Sequence, residues 1–353
     1  MKILKKGNEA IGEAAIRAGC RFFFGYPITP QNEIPEYMAR ELPGKGGVFL
    51  QAESELAAIN MVYGAAAAGA RVMTSSSGPG ISLKQECISF LAGAELPCLI
   101  VDVMRSGPGL GGILPCQADY FQATRGGGHG DYRTVVYAPA SVQEMADLVA
   151  RSFDTADRYR TPVILLADGA LGQMMEQVEF AEEKEAGSRD QEWAVGSPCG
   201  SRPKTVTSLN LDAKGMEKHN LHLQDKYNTI KEHETMAEHY FTEGAKIVLV
   251  AYGMAARICK GAVDELRADG VEVGLLRPVT LWPFPDRELA EAVGSADRVL
   301  AVEMSLGQMV EDVRLSVGCL APVDFYGRTG GVVPTVKEIA GVVRDSLKRG
   351  EGK

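Results

Sequence analysis

The chain has 353 residues, of which 45% are hydrophobic and 24% are charged, and its formal net charge at pH 7 is −9. This length allows two domains, and the negative charge opposes nucleic-acid binding, because proteins that bind nucleic acid present a basic surface to the phosphates. The amino terminus has no apolar stretch of signal-peptide length, and no stretch reaches the roughly 18 apolar residues that span a bilayer. We therefore expect a cytoplasmic protein with no nucleic-acid or membrane partner.

The first predicted elements lead into a rigid turn. A helix is predicted over 8–18, and a short aromatic strand over 21–25 runs directly into a turn that contains Pro27, Thr29 and Pro30. The two prolines fix the backbone of this turn at the carboxyl end of the strand. Because ligands gather at such strand ends in open α/β sheets, the turn is a candidate binding site.

A carboxylate stands at the start of the helix that follows the next strand. The strand is predicted over 48–51, Ser54 is a good N-cap, and Glu55 suits the positive end of the dipole of a helix that continues to Ala68. The dipole alone would stabilise Glu55 by roughly 0.3 to 1 kcal/mol. Burying an unpaired carboxylate beside the bare alanine run at 65–68 would nevertheless be costly. A ligand with a hydrogen-bond donor or a basic nitrogen would remove that cost.

Glycine-rich loops follow the next two strands. The strand at 71–74 opens into a Ser/Gly/Pro loop at 75–80, and the apolar strand at 97–103 opens into a glycine-rich segment at 107–112. This segment fits G-x-G-x-x-G, but no helix opens directly after it and no acidic residue stands about 20 positions on. We therefore favour a mobile loop over a cleft and keep a dinucleotide site as the alternative. Further strands and helices up to 167 predict an α/β domain with a mostly parallel sheet covered on both faces.

The second half of the chain changes character. A polar segment over 176–228 indicates an extended linker, which a helix from about 223 to 241 closes, and a second α/β unit follows. The chain is therefore predicted to have a first α/β domain over 1–175, a linker with a helix over 176–244 and a smaller α/β domain over 245–353.

The cysteines and histidines give no metal motif. None of the seven cysteines forms a C-x-x-C pair, and most are expected to be small core residues. They are Cys20, Cys87, Cys98, Cys116, Cys199, Cys259 and Cys319. Cys116 is less certain, because it lies in a glycine-rich loop. Four histidines in the linker, its helix and the residues after it (His219, His222, His233 and His239) lack the spacing of paired ligands, so we expect solvated helix surface and no metal site. His129 could contact a substrate or only pack in its own loop.

Five motifs in this order resemble one family. The motifs are GYPITP, ESELAAINMVYGA, TSSSGPGISL, MRSGPGLGG and GGGHGDYR. Together they resemble the α subunit of 2-oxoacid:ferredoxin oxidoreductases, and in particular the 2-oxoisovalerate (3-methyl-2-oxobutanoate) type. The resemblance covers nearly the whole chain. It implies a thiamine diphosphate pyrimidine-binding domain followed by a smaller transketolase C-terminal-like domain.

The resemblance also implies an activity and partners. The family binds thiamine diphosphate between two subunits and converts a 2-oxoacid and coenzyme A into acyl-CoA and CO₂, with reduction of ferredoxin. A β subunit would supply the diphosphate and Mg²⁺ site, and the γ and ferredoxin-like subunits would complete the enzyme, with the iron–sulfur clusters outside this chain. Because this chain has neither a GDG-type diphosphate signature nor cluster-binding cysteines, we expect it to be inactive alone.

The site residues follow from the matching motifs. Glu55 aligns with the family's thiamine glutamate, which lies near the pyrimidine N1′ and favours the reactive tautomer of the ring. Glu53 is the second choice. Thr29 and Arg105 match positions that contact the substrate carboxylate, a role that suits the planar guanidinium of arginine. The further cofactor-binding candidates are Pro27, Ile28, Ser77 and Gly78, and the weaker site candidates are His129 and Cys116.

Three alternatives stay open. A pyruvate- or 2-oxoglutarate-specific member of the same family is one, although a dicarboxylic substrate would need a further cation. The apolar loop at 112–115 offers none, unless Arg125 or Arg133 folds in. The other two alternatives are an NAD-dependent dehydrogenase built on the loop at 107–112 and a non-catalytic assembly subunit.

Overall fold

A computed structural model describes residues 2–184, 191–195 and 205–350 of the chain. Within these ranges the strands form a seven-stranded sheet, a five-stranded sheet and a two-stranded ribbon. The predicted α/β class with mostly parallel sheets is confirmed. The three regions bounded at 175/176 and 244/245 stay a prediction.

The first half contains every helix and strand predicted there, with bounds that differ by no more than a few residues. Its elements are β1 (Ile3–Lys6), α1 (Gly7–Arg17), β2 (Phe22–Gly25), α2 (Glu33–Glu41), β3 (Val48–Gln51), α3 (Glu55–Ala67), β4 (Val72–Ser76), α4 (Pro79–Gly93), β5 (Cys98–Met104), α5 (Tyr120–Thr124), β6 (Val135–Tyr137), α6 (Val142–Tyr159), β7 (Pro162–Asp168), α7 (Gly169–Gln173) and β8 (Met175–Val178). Three of these, α5, α7 and β8, were not expected, because they are too short to show a clear hydrophobic period.

The second half begins with the long linker helix. Its elements are α8 (Ala213–Glu234), β9 (Ala237–Tyr240), β10 (Ile247–Val250), α9 (Gly253–Ala268), β11 (Val273–Pro278), β12 (Thr280–Trp282), α10 (Asp286–Val293), β13 (Arg298–Glu303), α11 (Met309–Val317), β14 (Val323–Gly327) and α12 (Val336–Gly350). The prediction of a helix over 223–241 is wrong at both ends. The helix starts earlier because the side chain of Asp212 caps it, accepting a hydrogen bond from the Gly215 amide at 2.7 Å.

The seven-stranded sheet places several strand ends together. Its order is β12-β6-β7-β5-β4-β2-β3, and all neighbours are parallel except the outer pair β12–β6. Every residue of β4, β5 and β7 is buried, as expected for a parallel sheet with both faces covered. Because β2, β3, β4 and β5 run in the same direction, their carboxyl ends meet at one edge of the sheet.

One strand of the second half joins the first sheet. The segment after α9 divides into β11, which lies in the five-stranded sheet β14-β13-β10-β11-β9, and β12, which lies in the seven-stranded sheet. Strand β12 pairs antiparallel with β6, with Thr280 opposite Tyr137 and Trp282 opposite Val136. The two sheets are therefore linked by the main chain as well as by side-chain packing.

Buried charged groups also join the two sheets. Asp168, the last residue of β7, is fully buried and accepts a hydrogen bond at 2.7 Å from the amide of Met254 at the start of α9. Arg277 of β11 binds both carboxylate oxygens of Glu144 on α6, at 2.6 and 3.0 Å, and one oxygen of Glu238 on β9, at 2.6 Å. These groups tie the second half of the chain to helix α6 and strand β7 of the first.

The cysteines lie mainly in the core. Five are buried, namely Cys20, Cys87, Cys98, Cys116 and Cys259, whereas Cys319 is exposed and Cys199 lies outside the described residues. Within the described ranges, none of the helices combines the length and apolarity needed to span a bilayer.

Candidate active site

The candidate site lies where the loops after β2, β3, β4 and β5 meet. Gln31, which follows the proline turn, connects two of these loops. Its amide nitrogen donates to the Tyr26 carbonyl at 3.2 Å, and its amide oxygen accepts a hydrogen bond from the Ser75 hydroxyl of β4. The side-chain amide of Asn8 donates a hydrogen bond to the Pro30 carbonyl at 2.8 Å. The proline turn is therefore fixed against the centre of the sheet.

Glu55 opens helix α3 at this edge. The Ser54 side chain caps the helix by accepting a hydrogen bond from the Ala57 amide at 3.2 Å, as the sequence predicts. Glu55 itself is only 7% exposed. Among the described residues, none donates a hydrogen bond to its carboxylate. Its two oxygens are also not among the fully buried side-chain atoms without a partner, so the carboxylate keeps some exposure and is available for a ligand.

Helix α4 approaches Glu55 through a glycine. A Cβ atom on Gly80 would lie 2.6 Å from Oε1 of Glu55 and would also overlap the side chain of Ser76. Because real Cβ atoms do not come so close to other heavy atoms, only glycine fits at this position without displacing Glu55. The backbone of α4 therefore packs directly against the side chain of Glu55.

Several buried polar atoms at the ends of β4 and β5 and in the segment after β5 lack partners. Within the described ranges, the unpartnered buried side-chain atoms in this area are Ser76 Oγ, Ser77 Oγ, Asp102 Oδ1 and Oδ2, Arg105 Nε and Asp119 Oδ2. Buried polar groups in folded proteins are nearly always hydrogen-bonded, to protein, water or ligand. Such a concentration of unsatisfied donors and acceptors therefore fits a site that binds a polar ligand.

Three of these atoms belong to a pair of neighbouring carboxyls, Asp102 and Asp119. Burial raises the pKa of Asp102 well above its usual range, and the nearby charge of Asp119 raises it further. Burial also raises the pKa of Asp119, to about 6, although the Gly78 amide and Arg105 oppose the shift. The pair therefore retains a proton to a higher pH than free aspartates would.

Arg105 connects the proline turn to the glycine-rich loop. It is 7% exposed, and its two terminal nitrogens donate to the carbonyls of Thr29, at 3.0 Å, and of Leu110, at 2.8 Å. The loop itself is closed by a hydrogen bond from the Gly112 amide to the Ser106 carbonyl at 2.9 Å. Gly111 has a φ of +63°, and a Cβ there would overlap the Ser106 carbonyl, so this tight turn requires glycine.

Two cavities lie on either side of the Arg105–Thr29 contact. The first has a volume of about 400 Å³ and is lined by Thr29, Ile113, Leu114 and Glu33, with no lysine or arginine among its lining residues. The second has a volume of about 300 Å³ and is lined by residues of the Gly78 loop, Arg105 and Asp119, together with residues 305, 306, 308 and 329 from the second half of the chain. A larger cavity of about 730 Å³ lies around Trp282. It shares no lining residue with the other two cavities, and Glu55 does not line it.

The other predicted site residues occupy different environments. Ser77 is fully buried, and Gly78 has a φ of +34° and faces Arg105 and Asp119. Pro27, Thr29, Glu53 and His129 are exposed, and Ile28 is half-buried. The Cys116 thiol is buried and donates to the Met304 carbonyl at 2.8 Å, so its contact in the described structure is with the second half of the chain.

Sequence reasoning missed Lys84, Asp102 and Asp119. Asp102 lies in the middle of an apolar strand, and Lys84 on a helix that is otherwise largely buried. A charged residue within a buried element is the signal that could have identified both of them, because such a residue needs a partner.

The histidines of the linker region do not converge on one point. His219 contacts the Gly93 carbonyl at 2.8 Å and His222 contacts the Glu95 carboxylate at 3.0 Å, so both hold α8 against the turn between α4 and β5. The expectation of purely solvated surface is therefore wrong for His219, which is half-buried. In the described part of the chain, no group of three or more His, Cys, Asp or Glu side chains could hold a metal ion.

Two family models match the chain. The model described as pyruvate flavodoxin/ferredoxin oxidoreductase, thiamine diphosphate-binding, matches residues 13–241. The model described as pyruvate:ferredoxin oxidoreductase core domain II matches residues 245–339.

Three known proteins illustrate the similarity. The ketoisovalerate oxidoreductase subunit VorB of Methanothermobacter marburgensis is 54% identical over 350 residues, which cover 96% of this chain and 98% of that protein. The solved 2-oxoglutarate:ferredoxin oxidoreductase from Magnetococcus marinus matches with a TM-score of 0.87 and 29% identity, and the match covers 98% of this chain and 65% of that longer chain. A split-gene transketolase matches with a TM-score of 0.61 at 13% identity, over 97% of this chain and 98% of that chain, which shows a shared fold.

These matches confirm the resemblance and the fold class that the motifs indicate. The thiamine diphosphate-binding model covers the part of the chain that holds Glu55 and its neighbouring loops. The chain therefore belongs to the 2-oxoacid:ferredoxin oxidoreductase family, as an enzyme subunit that carries the thiamine diphosphate-binding domain.

Proposed function

We propose that this subunit binds the pyrimidine ring of thiamine diphosphate and contributes to the oxidative decarboxylation of 3-methyl-2-oxobutanoate. The products would be the acyl-CoA and CO₂, with reduction of ferredoxin. The observation that carries the proposal is Glu55, a largely buried residue at the strand edge whose carboxylate has no donor among the described residues. A ring nitrogen that carries or shares a proton would supply the missing partner.

The surrounding residues fit this ligand. Thiamine diphosphate, when bound, supplies the carbon that attacks the keto group of the 2-oxoacid. Glu55 would hold or release a proton at its carboxylate toward the pyrimidine N1′. The unpartnered hydroxyl of Ser77 and the backbone at Gly78 would offer hydrogen bonds to polar atoms of the cofactor, and Pro27 and Ile28 would contribute apolar surface beside the ring.

Arg105 and Thr29 are proposed to bind the substrate carboxylate. Two nitrogens of Arg105 are already oriented by the carbonyls of Thr29 and Leu110, which fixes the plane of the guanidinium. The Nε atom has no partner, and each terminal nitrogen retains a second N–H. Thr29 is exposed, and its carbonyl contacts Arg105, so its hydroxyl could join the guanidinium in holding a carboxylate.

The cavity beside Thr29 favours a branched apolar side chain over a second carboxylate. Ile113 and Leu114 line it, and no cationic side chain does. Glu33 also lines it. Partial burial opposes ionisation of Glu33, but hydrogen bonds from Asn8 and Gln173 outweigh burial and lower the pKa of Glu33, so the wall carries a carboxylate, which Lys6 pairs with at 3.4 Å from outside the lining. Such a charge would repel the distal carboxylate of 2-oxoglutarate. The relative with 54% identity is named for ketoisovalerate, which agrees with this preference.

The remaining parts of the enzyme are assigned to partners. We place the diphosphate and Mg²⁺ site on a β subunit, and the iron–sulfur clusters on further subunits of the γ and ferredoxin-like types, because the sequence lacks a GDG-type signature and cluster-binding cysteines. The three regions bounded at 175/176 and 244/245, the cytoplasmic location, and minor roles for Glu53, His129 and Cys116 belong to the same proposal.

The decisive experiment uses the complex assembled from all its subunits. Reduction of ferredoxin or a viologen dye is measured with coenzyme A and, in turn, 3-methyl-2-oxobutanoate, pyruvate and 2-oxoglutarate. Glu55→Gln should lower kcat by about a hundredfold or more, because it removes the group that exchanges a proton with the cofactor. It should also slow exchange of the C2 proton of bound thiamine diphosphate. Glu53→Gln tests the second candidate for the same role, and because Glu53 is exposed two positions away, this variant should lose far less activity than Glu55→Gln.

Other outcomes would identify the alternatives. Normal turnover of Glu55→Gln in an intact complex would indicate an assembly subunit. A higher kcat/KM for 2-oxoglutarate or pyruvate than for 3-methyl-2-oxobutanoate would reassign the substrate. Reduction of NAD by the isolated chain would support a dehydrogenase instead.

A further inference from the structure

The cavity around Trp282 takes no part in the proposed reaction. Its volume of about 730 Å³ lies within the range of roughly 300 to 1,000 Å³ that small-molecule sites occupy. It is bordered by the end of α8, the segment from β12 to α10, the second half of α11 and Arg125, which follows α5. Its walls therefore come from both halves of the chain and from the helix between them.

Trp282 offers this cavity a free hydrogen-bond donor. The residue is only 8% exposed, and its ring packs edge-on against the ring of Tyr227, with the centroids 5.7 Å apart. No described residue accepts a hydrogen bond from the indole N–H, yet the nitrogen is not among the fully buried atoms without a partner. The N–H is therefore accessible, and the cavity is the space that Trp282 borders. A donor in this position suits an acceptor on a ligand.

Free charges of both signs line the same cavity. Helix α8 contributes Lys231 and Glu232, and helix α10 contributes Arg287 and Glu288. None of the described residues forms a hydrogen bond or an ion pair with any of these four side chains. The lining has four acidic and three basic side chains in all, so a phosphate ester would meet an excess of negative charge. A ligand with one cationic and one anionic group would instead find a partner for each.

The cavity also has an apolar wall. Leu315 of α11 lines it and is 76% exposed, and the half-buried Phe284 and the buried Leu281 line it as well. Covering this apolar surface would stabilise a bound ligand. The cavity thus combines an apolar surface with free groups of both charges, which is the combination that an amino acid with an apolar side chain requires.

Helices α5 and α11 connect this cavity to the candidate active site. Helix α5 begins after Asp119, which lines the cavity of about 300 Å³ beside Arg105, and ends before Arg125, which lines the Trp282 cavity. Helix α11 begins after Gln308 of the former cavity and carries Leu315 of the latter, about 10 Å further along the helix axis. Each helix therefore borders one cavity at its start and the other at its end.

Hydrogen bonds join the two helices. The Tyr120 hydroxyl and the Arg125 guanidinium both donate to the Asp312 carboxylate, at 2.5 and 2.7 Å. The Phe121 amide donates to the side-chain oxygen of Gln308 at 2.8 Å. Because Asp312 lines the Trp282 cavity and Gln308 lines the cavity beside Arg105, a ligand that moves α11 at one end acts on groups at the other.

We propose that the Trp282 cavity is an effector site for an amino acid with an apolar side chain, and that its occupation changes the affinity for thiamine diphosphate through α5 and α11. Lys231, Arg287 and the indole N–H of Trp282 would hold the carboxylate of the ligand. Glu232 or Glu288 would hold its ammonium group, and the apolar wall would cover its side chain. The inference depends neither on the role of Glu55 nor on the identity of the 2-oxoacid.

Calorimetry on the assembled, cofactor-free complex tests the binding. L-valine, L-leucine and L-phenylalanine are titrated in turn, and at least one should bind with a Kd below about 1 mM. Analogues of the tightest ligand that lack the ammonium group or the carboxylate should each bind about tenfold more weakly or worse, because one set of charged groups is left without a partner. For leucine these analogues are 4-methylpentanoate and 3-methylbutylamine. AMP serves as the phosphate-ester probe.

Variants locate the bound amino acid. Trp282→Phe keeps an aromatic ring, removes the N–H and should weaken binding by about fivefold. Lys218→Met is the matched control, because Lys218 is also exposed on α8 but does not line the cavity, and it should leave the affinity unchanged. Two double variants remove the free cations and the free anions, respectively, and each should weaken binding by about tenfold or more: Lys231→Met with Arg287→Met, and Glu232→Gln with Glu288→Gln.

The effector role is measured as a change in cofactor affinity. The Kd for thiamine diphosphate with Mg²⁺ should change by about fivefold or more when the amino acid saturates its site. By linkage, the Kd for the amino acid should change by the same factor in the cofactor-loaded complex. Tyr120→Phe removes one hydrogen bond between α5 and α11, so it should reduce this change and leave the affinity for the amino acid within about twofold.

Several results would overturn the inference. They are the absence of binding by all three amino acids, binding that both double variants leave intact, and AMP binding that is tighter than that of the amino acids and is lost in Lys231→Met with Arg287→Met. Binding without any change in the Kd for thiamine diphosphate would overturn the effector role. None of these measurements involves turnover of a 2-oxoacid, so failure of the proposed substrate or of the role of Glu55 would be recognised separately.

Discussion

Glu55 and Gly80 are packed so closely that any side chain at position 80 would displace the carboxylate. A Cβ atom there would lie 2.6 Å from Oε1 of Glu55. The shape of helix α4 thus determines where the proposed catalytic carboxylate can stand.

Gly80→Ala should therefore impair the site without unfolding the protein. The added methyl group must push Glu55 or Ser76 aside, and we expect at least a tenfold loss in affinity for thiamine diphosphate, measured by titration of the cofactor-free complex. Gly341→Ala is the control, because Gly341 also lies in a helix but has open space around its Cβ position. That variant should be neutral or more stable by up to about 1 kcal/mol. Unchanged affinity in Gly80→Ala would show that Glu55 can move without consequence.

Ile113→Arg should change the substrate preference. Ile113 lines the cavity next to Thr29 and is 60% exposed, so the cavity can accept a longer side chain. A guanidinium there would lower kcat/KM for 3-methyl-2-oxobutanoate by removing apolar contact and raise it for 2-oxoglutarate by pairing with the distal carboxylate. Steady-state kinetics with both acids test this. Leu110→Arg, on the same loop but outside the cavity, should leave the ratio unchanged, and an equal shift in both variants would argue against the cavity as the side-chain site.

Arg277→Met should destabilise the junction between the two sheets. Arg277 is buried and binds Glu144 and Glu238, so its removal leaves the partly buried Glu144 carboxylate without its cation, whereas Glu238 keeps only Lys260. Breaking such a buried network typically costs about 3 to 5 kcal/mol, and the unfolding midpoint should fall accordingly. In Arg298→Met, which breaks a more exposed pair with Asp324, the loss should stay below about 1 kcal/mol. Similar losses of stability in both variants would mean that the Arg277 network contributes no more than an ordinary surface ion pair.

Asp168→Asn should have an effect that depends on pH. Burial raises the pKa of Asp168 to about 6, above the value of the unfolded chain, although the amides of Met254 and Leu171 oppose the shift. The folded state therefore holds the proton more tightly, and the contribution of Asp168 to stability is largest at acidic pH and is lost as the pH rises to about 6. Asparagine does not titrate, so the loss in free energy of unfolding caused by Asp168→Asn should be greater at pH 4.5 than at pH 7.5 by about 2 kcal/mol. Denaturant unfolding at the two pH values measures it, and a cost that grows with pH would contradict the assignment.

Local signals predicted much of the fold and part of the site. The alternation of apolar strands and amphipathic helices predicts the elements of the first half, and the Ser54 cap with Glu55 behind it is encoded within a few residues. The meeting of the loops after β2, β3, β4 and β5 also follows from the parallel arrangement of these strands. These features depend on neighbours in sequence or on a general rule of sheet topology.

The rest depends on contacts between distant segments. Lys84 is buried because its ammonium finds Thr74 and Ser75 on another element, and although a charge within a buried helix indicates that a partner exists, nothing within α4 identifies that partner. Strand β12 lies in the first sheet because it pairs with β6. The paired residues Thr280 and Tyr137 are more than 140 positions apart in the chain. Neither propensity nor periodicity carries such information.

The place of β12 bears on how the chain can be divided. A fragment that ends at residue 244 would lack β12 and leave β6 as a free edge of the first sheet, with unpaired backbone groups beside the buried side chains of Val136 and Tyr137. Open edges of this kind promote association with other chains. We therefore expect a 1–244 fragment to aggregate on expression, and a soluble monomer in size-exclusion chromatography would contradict this. Although the two halves match separate family models, folding of the first would then depend on synthesis of the second.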